Sequence, residues 1–538
     1  MAGLSRLLWN FLVGPRIYLI YSSPQAVYPS NTLESLGDFM LSFLKGTTNV
    51  CTTLSPVAYN RSLLNAPNVV SLTKFLMVYY FVAVGVRALG RISSPEYRKF
   101  LDLLLRASDE RTTSTRLRAQ LADYDYQIFA APVDFKARRL DRHMVYPSAD
   151  EMPADVGPWL TPFRNLLAYT FVHTFGRRLV YPGGVSLFNM VVANFVIEAR
   201  RKLIVEKGGQ RAVVLTQDGN LIDTMFVDRR NKEESGNTLV VTCEGNAGYY
   251  ETGIMVTPLS LGYSVLGWNH PDTLDMNVSY DLLDMNGSLL KCYRDAELNN
   301  LANFTSTIFK GFAESGGQPL PSQILNAVDA VMQYAIEKLG FREEDIVIYA
   351  WSIGGFPGTW AAANYPDIKG LILDATFDDL LPLAKARMPK SFGSLVQYAV
   401  RSHINLPIAK QLALYSGPVL LIRRSQDEMI ITAETGSDEE RRASNRANEL
   451  LKSLLRNRYP GLIEKFEVYV DEWLAADVVE RLAMTPSHHI PLREPFDELK
   501  ELDRAHLIFS LCARYFVDYD STHNTPLEPL LFNIPTAV

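Results

Sequence analysis

The chain has 538 residues, of which 47% are hydrophobic, and a formal net charge of -6. It is long enough for one large domain with an appended region, or for two or three ordinary domains. The acidic balance excludes the basic surface that nucleic-acid binding requires. The four cysteines are far apart and form no Cys-x-x-Cys pair, which argues against a zinc site or a disulfide framework and favours a reducing compartment.

The first hundred residues contain two apolar segments and predict a membrane-associated region. The stronger segment, 69–86, has Lys74 as its only charge and is just long enough to cross the hydrocarbon of a bilayer. The weaker one, 39–59, is interrupted by a lysine, a glycine and several threonines. For each segment, a buried or interfacial helix is the alternative. The chain start lacks a small-residue cleavage site and does not predict a cleaved signal peptide.

Basic residues follow the stronger segment at Arg87, Arg91, Arg98 and Lys99. The positive-inside rule then predicts that the rest of the chain lies in the cytosol.

Residues 101–206 predict a helical linker region. The stretch "SPEYRKFLDLLLRASDERTTSTRLRAQLADY" has the charge density and apolar spacing of one or two surface helices. A later helix over "FVIEARRKLIVEKGG" is expected to end at its glycine pair. The periodicity then changes, and "AVVLTQDGNLIDTMFV" predicts a β-hairpin that turns at 217–220.

From 207 to 538, short apolar runs alternate with helical stretches. The runs are "TLVVTC", "YSVLGW", "DIVIYAW", "GLILDAT", "GPVLLIRR" and "KFEVYV". Such runs are typical of strands that are buried on both faces of a mostly parallel sheet. The sequence therefore predicts an α/β fold, with a doubly wound catalytic domain over 207–538.

A serine stands between one of these strands and a helix in "IVIYAWSIGGF". A nucleophile elbow needs a strand, a sharp turn with the serine at its apex, and a helix, with small residues two places before and two after the serine. Residues 346–349 supply the strand, and Ala350 and Gly354 supply the small positions. The same relaxed pattern around Ser315 has no preceding strand and no immediate helix. The context therefore favours Ser352 as a nucleophile over a plain helix cap.

A serine hydrolase of this kind needs an acid and a histidine after the nucleophile. Asp427 follows the run "GPVLLIRR" at the carboxyl edge of the predicted sheet, where active-site residues gather. Asp378 and Asp379 occupy the equivalent position one strand earlier and are the alternatives. We expect Asp427 to be the acid, and a helix cap is the non-catalytic interpretation of any of the three.

The histidine is not determined by spacing. His506 lies in a predicted amphipathic helix, "KELDRAHLIFSLCARYFVDY", where a structural histidine is the usual interpretation. His488 and His489 form a pair in a proline-flanked loop, and His523 lies in a polar turn after the last helix. The residues alone support the pair and His523 equally.

The oxyanion hole of such an enzyme combines the N–H of the residue after the nucleophile with an N–H from the loop after an earlier strand. The first is Ile353. The second is expected at Asn246, through its backbone, because "CEGNAG" is that loop by position. A plain glycine-rich turn is the alternative interpretation of this loop.

Several long motifs resemble those of the α/β-hydrolase domain-containing 16 family of membrane phosphatidylserine lipases. They include "CEGNAGYYETG", "GYSVLGWNHP", "IVIYAWSIGGF", "GPVLLIRRSQDE" and "THNTPLEP", and the resemblance covers most of the chain. It implies an α/β-hydrolase fold and a triad of Ser352, Asp427 and His523, which resolves the histidine. It also implies hydrolysis of phosphatidylserine to lysophosphatidylserine and fatty acid, with some monoacylglycerol hydrolysis, at an intracellular membrane of the endoplasmic reticulum type. The membrane segments of the family support 39–59 as a second span, and the mechanism needs no metal or organic cofactor.

One segment departs from the family. Residues 272–310 separate Pro271 from Gly311, which the family joins closely, and they are rich in Asn, Leu and Asp. The segment is either a lid-like surface loop or a translated intron, and its composition favours the intron. Because of this insert, and because Ala350 replaces the first glycine of the elbow pattern, a non-catalytic membrane scaffold is an alternative function. A thioesterase or an acyltransferase with the same triad is the other alternative.

Overall fold

The computed structural model describes residues 2–23, 26–44, 47, 66–108, 115–182, 186–271, 315–433, 435–486 and 496–536. The chain divides into two compact units. The first unit comprises Met1–Val133, Ser186–Ile197 and Thr273–Gly316, and the second comprises Asp134–Val185, Glu198–Asp272 and Gly317–Val538. The insert 272–310 and the histidine pair at 488 and 489 lie outside the described residues, as does most of the segment 39–59.

The first unit is built from helices and one small antiparallel sheet. Its helices are α1 Ala2–Val13, α2 32–44, α3 Ala66–Ser93, α4 Pro95–Ala107 and α5 Thr115–Leu121, and its strands are β1 Ile17–Ile20 and β2 Tyr124–Tyr126. Helix α4 buries Tyr97, Phe100, Leu101 and Leu104, spaced by three and four residues along one face. One or two charged surface helices are predicted for this stretch, and the structure has two, α4 and α5.

Helix α3 contains the stronger apolar segment. Its part from Val70 to Ser93 is long and apolar enough to cross a membrane, and 28% of the most apolar window is buried inside the protein. At its last turn, Arg91 is fully buried and donates hydrogen bonds to Glu34 (3.2 Å) and to the carbonyls of Gly14 (2.8 Å) and Pro15 (3.3 Å). This arginine therefore has a structural role in the first unit, and the cytosolic orientation stays a prediction.

Replacing Arg91 with Met is expected to lower the free energy of unfolding by about 3–5 kcal/mol, because Glu34 would remain buried without its cation. Thermal unfolding of the detergent-purified full chain measures the effect. Arg106→Met is the control, since Arg106 forms an exposed pair with Asp102, and such a pair contributes less than about 1 kcal/mol. Equal losses in the two variants would contradict the assignment.

The second unit contains a sheet of nine strands. These are β3 Phe135–Lys136, β4 Gln210–Leu215, β5 Leu221–Val227, β6 Leu239–Cys243, β7 Ser264–Trp268, β8 Ile346–Trp351, β9 Gly370–Asp374, β10 Val419–Arg424 and β11 Phe516–Tyr519. Their order across the sheet is β11-β10-β9-β8-β6-β7-β5-β4-β3. Strand β5 is antiparallel to both of its neighbours, and every other adjacent pair is parallel. The predicted mostly parallel α/β fold is confirmed.

The second unit also contains helices. They are α6 Thr161–Phe171, α7 Arg177–Val180, the end of α8 Ser186–Val205, which begins in the first unit, α9 Val256–Ser260, α10 Pro321–Gln333, α11 Gly355–Asn364, α12 Leu380–Arg387, α13 Gly393–His403, α14 Ile408–Leu412, α15 Asp438–Ala443, α16 Ala447–Arg458, α17 Pro460–Ala475, α18 Val478–Met484 and α19 Glu501–Tyr515. Along β8, Ile346, Ile348 and Ala350 face the larger core, whereas Val347 and Tyr349 face a smaller core on the other side. This alternation explains why the strand is apolar throughout.

Two local predictions are confirmed. Strands β4 and β5 form the expected hairpin, with Leu215 opposite Leu221. Helix α8 ends at Val205, and Gly208 follows with φ of +70°. The sheet also includes β3, which lies upstream of the predicted domain boundary at 207.

The strand predicted at "KFEVYV" is wrong, because these residues lie within helix α17. The buried side chains of α17 are Leu462, Ile463, Val470, Trp473 and Leu474, which recur at helical spacing on one face. The real last strand, β11, follows α19 directly. Its four residues continue the apolar spacing of α19, so the sequence pattern does not show where the helix ends and the strand begins.

Candidate active site

The strand order of the sheet reverses beside β6. Strand β6 lies between β7 and β8, so the chain leaves β6 toward one edge of the sheet and leaves β8 toward the other. In open α/β sheets, ligands bind at the carboxyl ends of the strands at such a reversal. Cys243 and Ala350 are paired at these ends, and the loops that follow them therefore meet.

Ser352 sits at the apex of a sharp turn between β8 and α11. Its backbone φ angle is +56°, a value that residues other than glycine rarely adopt. A Cβ on Gly354 would lie 2.1 Å from the carbonyl oxygen of Cys243, so this position accepts no side chain. On the other side of the turn, a Cβ on Gly358 would lie 2.8 Å from the Cβ of Ala350. The small residue at 354 is therefore explained by the close approach of the turn to the end of β6, and the small residue at 350 by the close contact of α11 with β8.

Ser352, His523 and Asp427 form a buried chain of hydrogen bonds. The Nε2 of His523 lies 2.9 Å from the Oγ of Ser352, and its Nδ1 lies 2.8 Å from Oδ2 of Asp427. The other oxygen of Asp427 accepts the N–H groups of Met429 (2.8 Å) and Ile430 (2.9 Å). With Nδ1–H donating to the carboxylate, Nε2 is free to accept the hydroxyl proton.

The alternative acids and the histidine of the last helix have other positions. Asp378 forms a bidentate ion pair with Arg446. Asp379 caps α12 by accepting the N–H of Leu381 (2.7 Å), which is the helix-cap interpretation considered from the sequence. His506 lies within α19.

The turn that carries His523 is held by Arg424, a fully buried residue at the end of β10. Its guanidinium contacts both carboxylate oxygens of Asp374 on β9, at 2.9 and 2.7 Å. It also donates to the carbonyls of Thr522 (3.1 Å) and Thr525. Sequence reasoning missed this residue, although two consecutive arginines that end the apolar run "GPVLLIRR" are a visible signal of buried charge.

Trp351 connects three loops of the site, a role that the sequence analysis did not assign. Its indole N–H donates to the backbone carbonyl of His523 (3.2 Å), and the two rings are 5.3 Å apart. A Cβ on Gly245 would lie 2.6 Å from the indole ring, so the loop after β6 packs against the same side chain. The backbone N–H of His523 donates to the carboxylate of Glu428 (3.1 Å).

The loop after β6 folds around the carboxyl group of Glu244. Both carboxyl oxygens accept the N–H of Ile254, at 3.0 and 3.2 Å, and the side chain is fully buried. Burial raises the pKa of Glu244 to about 8, so the group is mostly neutral at neutral pH. The Nε2–H of His270, in the "GWNHP" motif, donates to the Glu244 carbonyl (2.8 Å), and burial lowers the pKa of this imidazole.

Asn246 lies in the turn that this loop makes, where the N–H of Gly248 donates to the carbonyl of Gly245 (3.1 Å). It is three residues beyond Cys243, and Ile353 is three residues beyond Ala350, the partner of Cys243. Both backbone amides therefore lie at the edge of the sheet that carries Ser352. Their part in an oxyanion hole stays a prediction.

Replacing Glu244 with Gln is expected to remove a pH dependence of stability. Because the pKa is raised from 4.5 to about 8 in the folded protein, the stabilising effect of the neutral carboxyl is complete below about pH 4.5 and is lost as the pH rises through about 8. Across this window the free energy of unfolding of the wild type should fall, relative to Glu244→Gln, by on the order of a few kcal/mol. Unfolding curves at several pH values measure the difference.

Glu234→Gln is the matched control, because Glu234 is exposed, and it should keep the pH dependence of the wild type. An unchanged dependence in Glu244→Gln would contradict the neutral carboxyl.

Comparison with known proteins gives concordant matches to both regions of the chain. Two family models match it, one described as Phosphatidylserine Lipase ABHD16 N-terminal domain over residues 6–127 and one described as alpha/beta hydrolase fold over residues 299–460. Among solved structures, a Pyrococcus furiosus esterase is 13% identical with a TM-score of 0.30, covering 42% of this chain and 75% of the esterase.

Several relatives match over nearly their whole length, among them the following two. An uncharacterised protein of Caenorhabditis elegans is 37% identical, covering 98% of both chains. Phosphatidylserine lipase ABHD16A of Homo sapiens is 34% identical, covering 98% of this chain and 99% of its own length. On this identity and coverage, the chain belongs to the α/β-hydrolase domain-containing 16 family and is a hydrolase.

Proposed function

We propose that the chain is a membrane-bound serine lipase that hydrolyses acyl esters of phospholipids. Ser352 is the nucleophile, His523 the general base and acid, and Asp427 the residue that orients and stabilises the imidazole. The observation that carries this proposal is the continuous hydrogen-bonded chain from Ser352 through His523 to Asp427.

The reaction has two acyl-transfer steps. His523 accepts the hydroxyl proton while Ser352 Oγ attacks the ester carbonyl, and the resulting oxyanion is bound by the amides of Ile353 and Asn246. The acyl carbon–oxygen bond then breaks, and His523 returns the proton to the leaving lysophospholipid. Water repeats the sequence on the acyl-enzyme, so the carboxylic acid leaves and Ser352 regains its proton.

Phosphatidylserine is the proposed substrate, and lysophosphatidylserine and a fatty acid are the proposed products. The name of the human relative, a phosphatidylserine lipase, supports this choice. Monoacylglycerol is a proposed second substrate. The apolar helix Val70–Ser93 supports attachment to a membrane, and we place the enzyme at an intracellular membrane of the endoplasmic reticulum type with the second unit in the cytosol.

Ser352→Ala is expected to abolish labelling by a fluorophosphonate probe and the release of lysophosphatidylserine from phosphatidylserine vesicles, because no other group supplies the nucleophile. Gel fluorescence and lipid mass spectrometry measure the two effects. Ser315→Ala is the matched control, because Ser315 fits the same relaxed sequence pattern, and this variant should keep both signals. Absence of labelling in a folded wild-type protein would refute the hydrolase mechanism.

Asp427→Asn is expected to lower kcat by about 10³–10⁴ with little change in KM, because the amide favours the wrong imidazole tautomer. Asp378→Asn should stay within about tenfold of the wild type, because Asp378 pairs with Arg446 rather than with the imidazole. His523→Ala should lose turnover and His489→Ala should keep it. An equal loss of turnover in Asp427→Asn and Asp378→Asn, or in His523→Ala and His489→Ala, would contradict the assigned triad.

A further inference from the structure

Helix α6 has an exposed apolar face in addition to its buried one. Ala168 and Val172 belong to the core, whereas large apolar side chains on the opposite side are exposed. We call the following residues the α6 patch: Phe163, Leu166 and Leu167 of α6, and Trp159 and Leu160 of the turn that precedes it. Trp159 is 92% exposed and Leu166 is 61% exposed. A surface helix of a soluble domain normally presents polar residues on this side, so the patch indicates a contact with something apolar.

Asp155 lies just before the patch and its carboxylate accepts the hydroxyl of Thr161 (3.3 Å), whereas the charges that follow are positive. From Val156 to Ile197 the sequence contains no acidic residue, whereas Arg164, Arg177 and Arg178 lie on this segment. The side chain of Arg178 is exposed. An apolar helix face with an exposed tryptophan and flanking cations is typical of helices that lie in the interface of an anionic bilayer.

A second exposed apolar helix provides an internal comparison. In α18, Val479 is 75% exposed and Leu482 is 74% exposed, but Asp477 and Glu480 form the capping box at the start of this helix. Carboxylates beside the apolar side chains disfavour an anionic lipid surface. The two helices therefore match in apolar exposure, but α18 carries Glu480 among its apolar side chains, whereas α6 contains no acidic residue.

The α6 patch is connected to the candidate active site through two helices. Arg387, at the end of α12, donates to the carbonyl of Glu428 (2.9 Å), the residue after Asp427. Helix α12 packs against α13, and α13 packs against α6. The ring of Tyr398 on α13 lies 4.0 Å from the guanidinium of Arg164, and its hydroxyl donates to Asn165.

We propose that the α6 patch docks the second unit on an anionic lipid bilayer, with the apolar side chains inserted below the headgroups and Arg178 at the level of the phosphates. This inference rests on the proposed function, because a phospholipid substrate is presented by such a surface. The patch is a membrane contact of the second unit itself, in addition to the apolar helix α3 of the first unit.

The test uses the full chain in vesicles of phosphatidylcholine and phosphatidylserine, with a nitrobenzoxadiazole fluorophore on a single cysteine. Leu166→Cys carries the probe, and Leu482→Cys is the matched control. Cys51 and Cys292 are replaced by serine, whereas Cys243 and Cys512 are buried and are kept. Lipids brominated on the acyl chains should quench the probe at position 166 and should not quench it at position 482.

Lack of quenching at position 166 in reconstituted protein would overturn the proposal. Blue-shifted emission without quenching would overturn it as well, because it would show that a protein surface covers the patch. The readout does not depend on turnover, so it stays interpretable if Ser352 fails to react with the fluorophosphonate. Loss of fluorophosphonate labelling would instead refute the hydrolase mechanism and leave the docking result intact.

Turnover gives a second measurement. Leu166→Asp should lower phosphatidylserine hydrolysis in vesicles by at least about tenfold, since it removes an inserted apolar side chain and adds a negative charge. Leu482→Asp should leave this rate unchanged. Fluorophosphonate labelling of both variants reports that the turn at Ser352 is folded, and equal rates in the two labelled variants would overturn the proposal.

Discussion

The position of His523 depends on the buried guanidinium of Arg424. The imidazole lies on a turn that belongs to no helix or strand, and this turn needs an anchor inside the protein. Arg424 provides the anchor because it contacts Asp374 on the neighbouring strand and the backbone carbonyls of the turn at the same time. Removing one partner of such a buried pair costs about 3–5 kcal/mol, since the other charge stays buried. An ion pair between two adjacent strands thus fixes the position of the His523 imidazole.

The loop after β6, on the other side of the site, depends on a carboxyl group that is mostly neutral at neutral pH. The loop after β6 is wrapped around the Glu244 carboxyl, and burial keeps that carboxyl mostly neutral at neutral pH. His270 and Asn269, which follow β7, support the loop. His270 binds the Glu244 carbonyl, and Asn269 accepts the N–H of Tyr250. Trp351 then contacts both this loop and the turn of His523. Each of the three loops at the carboxyl edge is therefore held by side chains of the protein interior.

Much of this architecture follows from the sequence. Strands that are buried on both faces give short apolar runs, and five of the six runs identified from 207 onward are strands of the sheet. The exception is "KFEVYV", which is too short to distinguish a strand from a helix. The helical spacing of apolar residues becomes visible only when the stretch is extended to Leu462 and Trp473. Strand β11 was missed because it continues the apolar pattern of α19 without a break.

The site residues also differ in how far the local sequence predicts them. Ser352 and Asp427 were chosen from local context, since each follows a recognisable strand. His523 was chosen only through resemblance to a family, because no local pattern marks a turn that is positioned by contacts with residues far away in the sequence. The roles of Arg424, Glu244 and Trp351 were not foreseen for the same reason.

The residues that follow His523 also complete the protein interior. Leu527 and Phe532 belong to the smaller core on one face of the sheet, and the carbonyl of Leu527 accepts a hydrogen bond from Thr257 (3.1 Å). His523 itself comes 171 positions after Ser352. A chain that is still being synthesised therefore has its proposed nucleophile long before its proposed base. The smaller core stays incomplete until Leu527 and Phe532 have been made. The same late segment thus completes the core and carries the proposed general base, so folding and the proposed activity depend on the same residues.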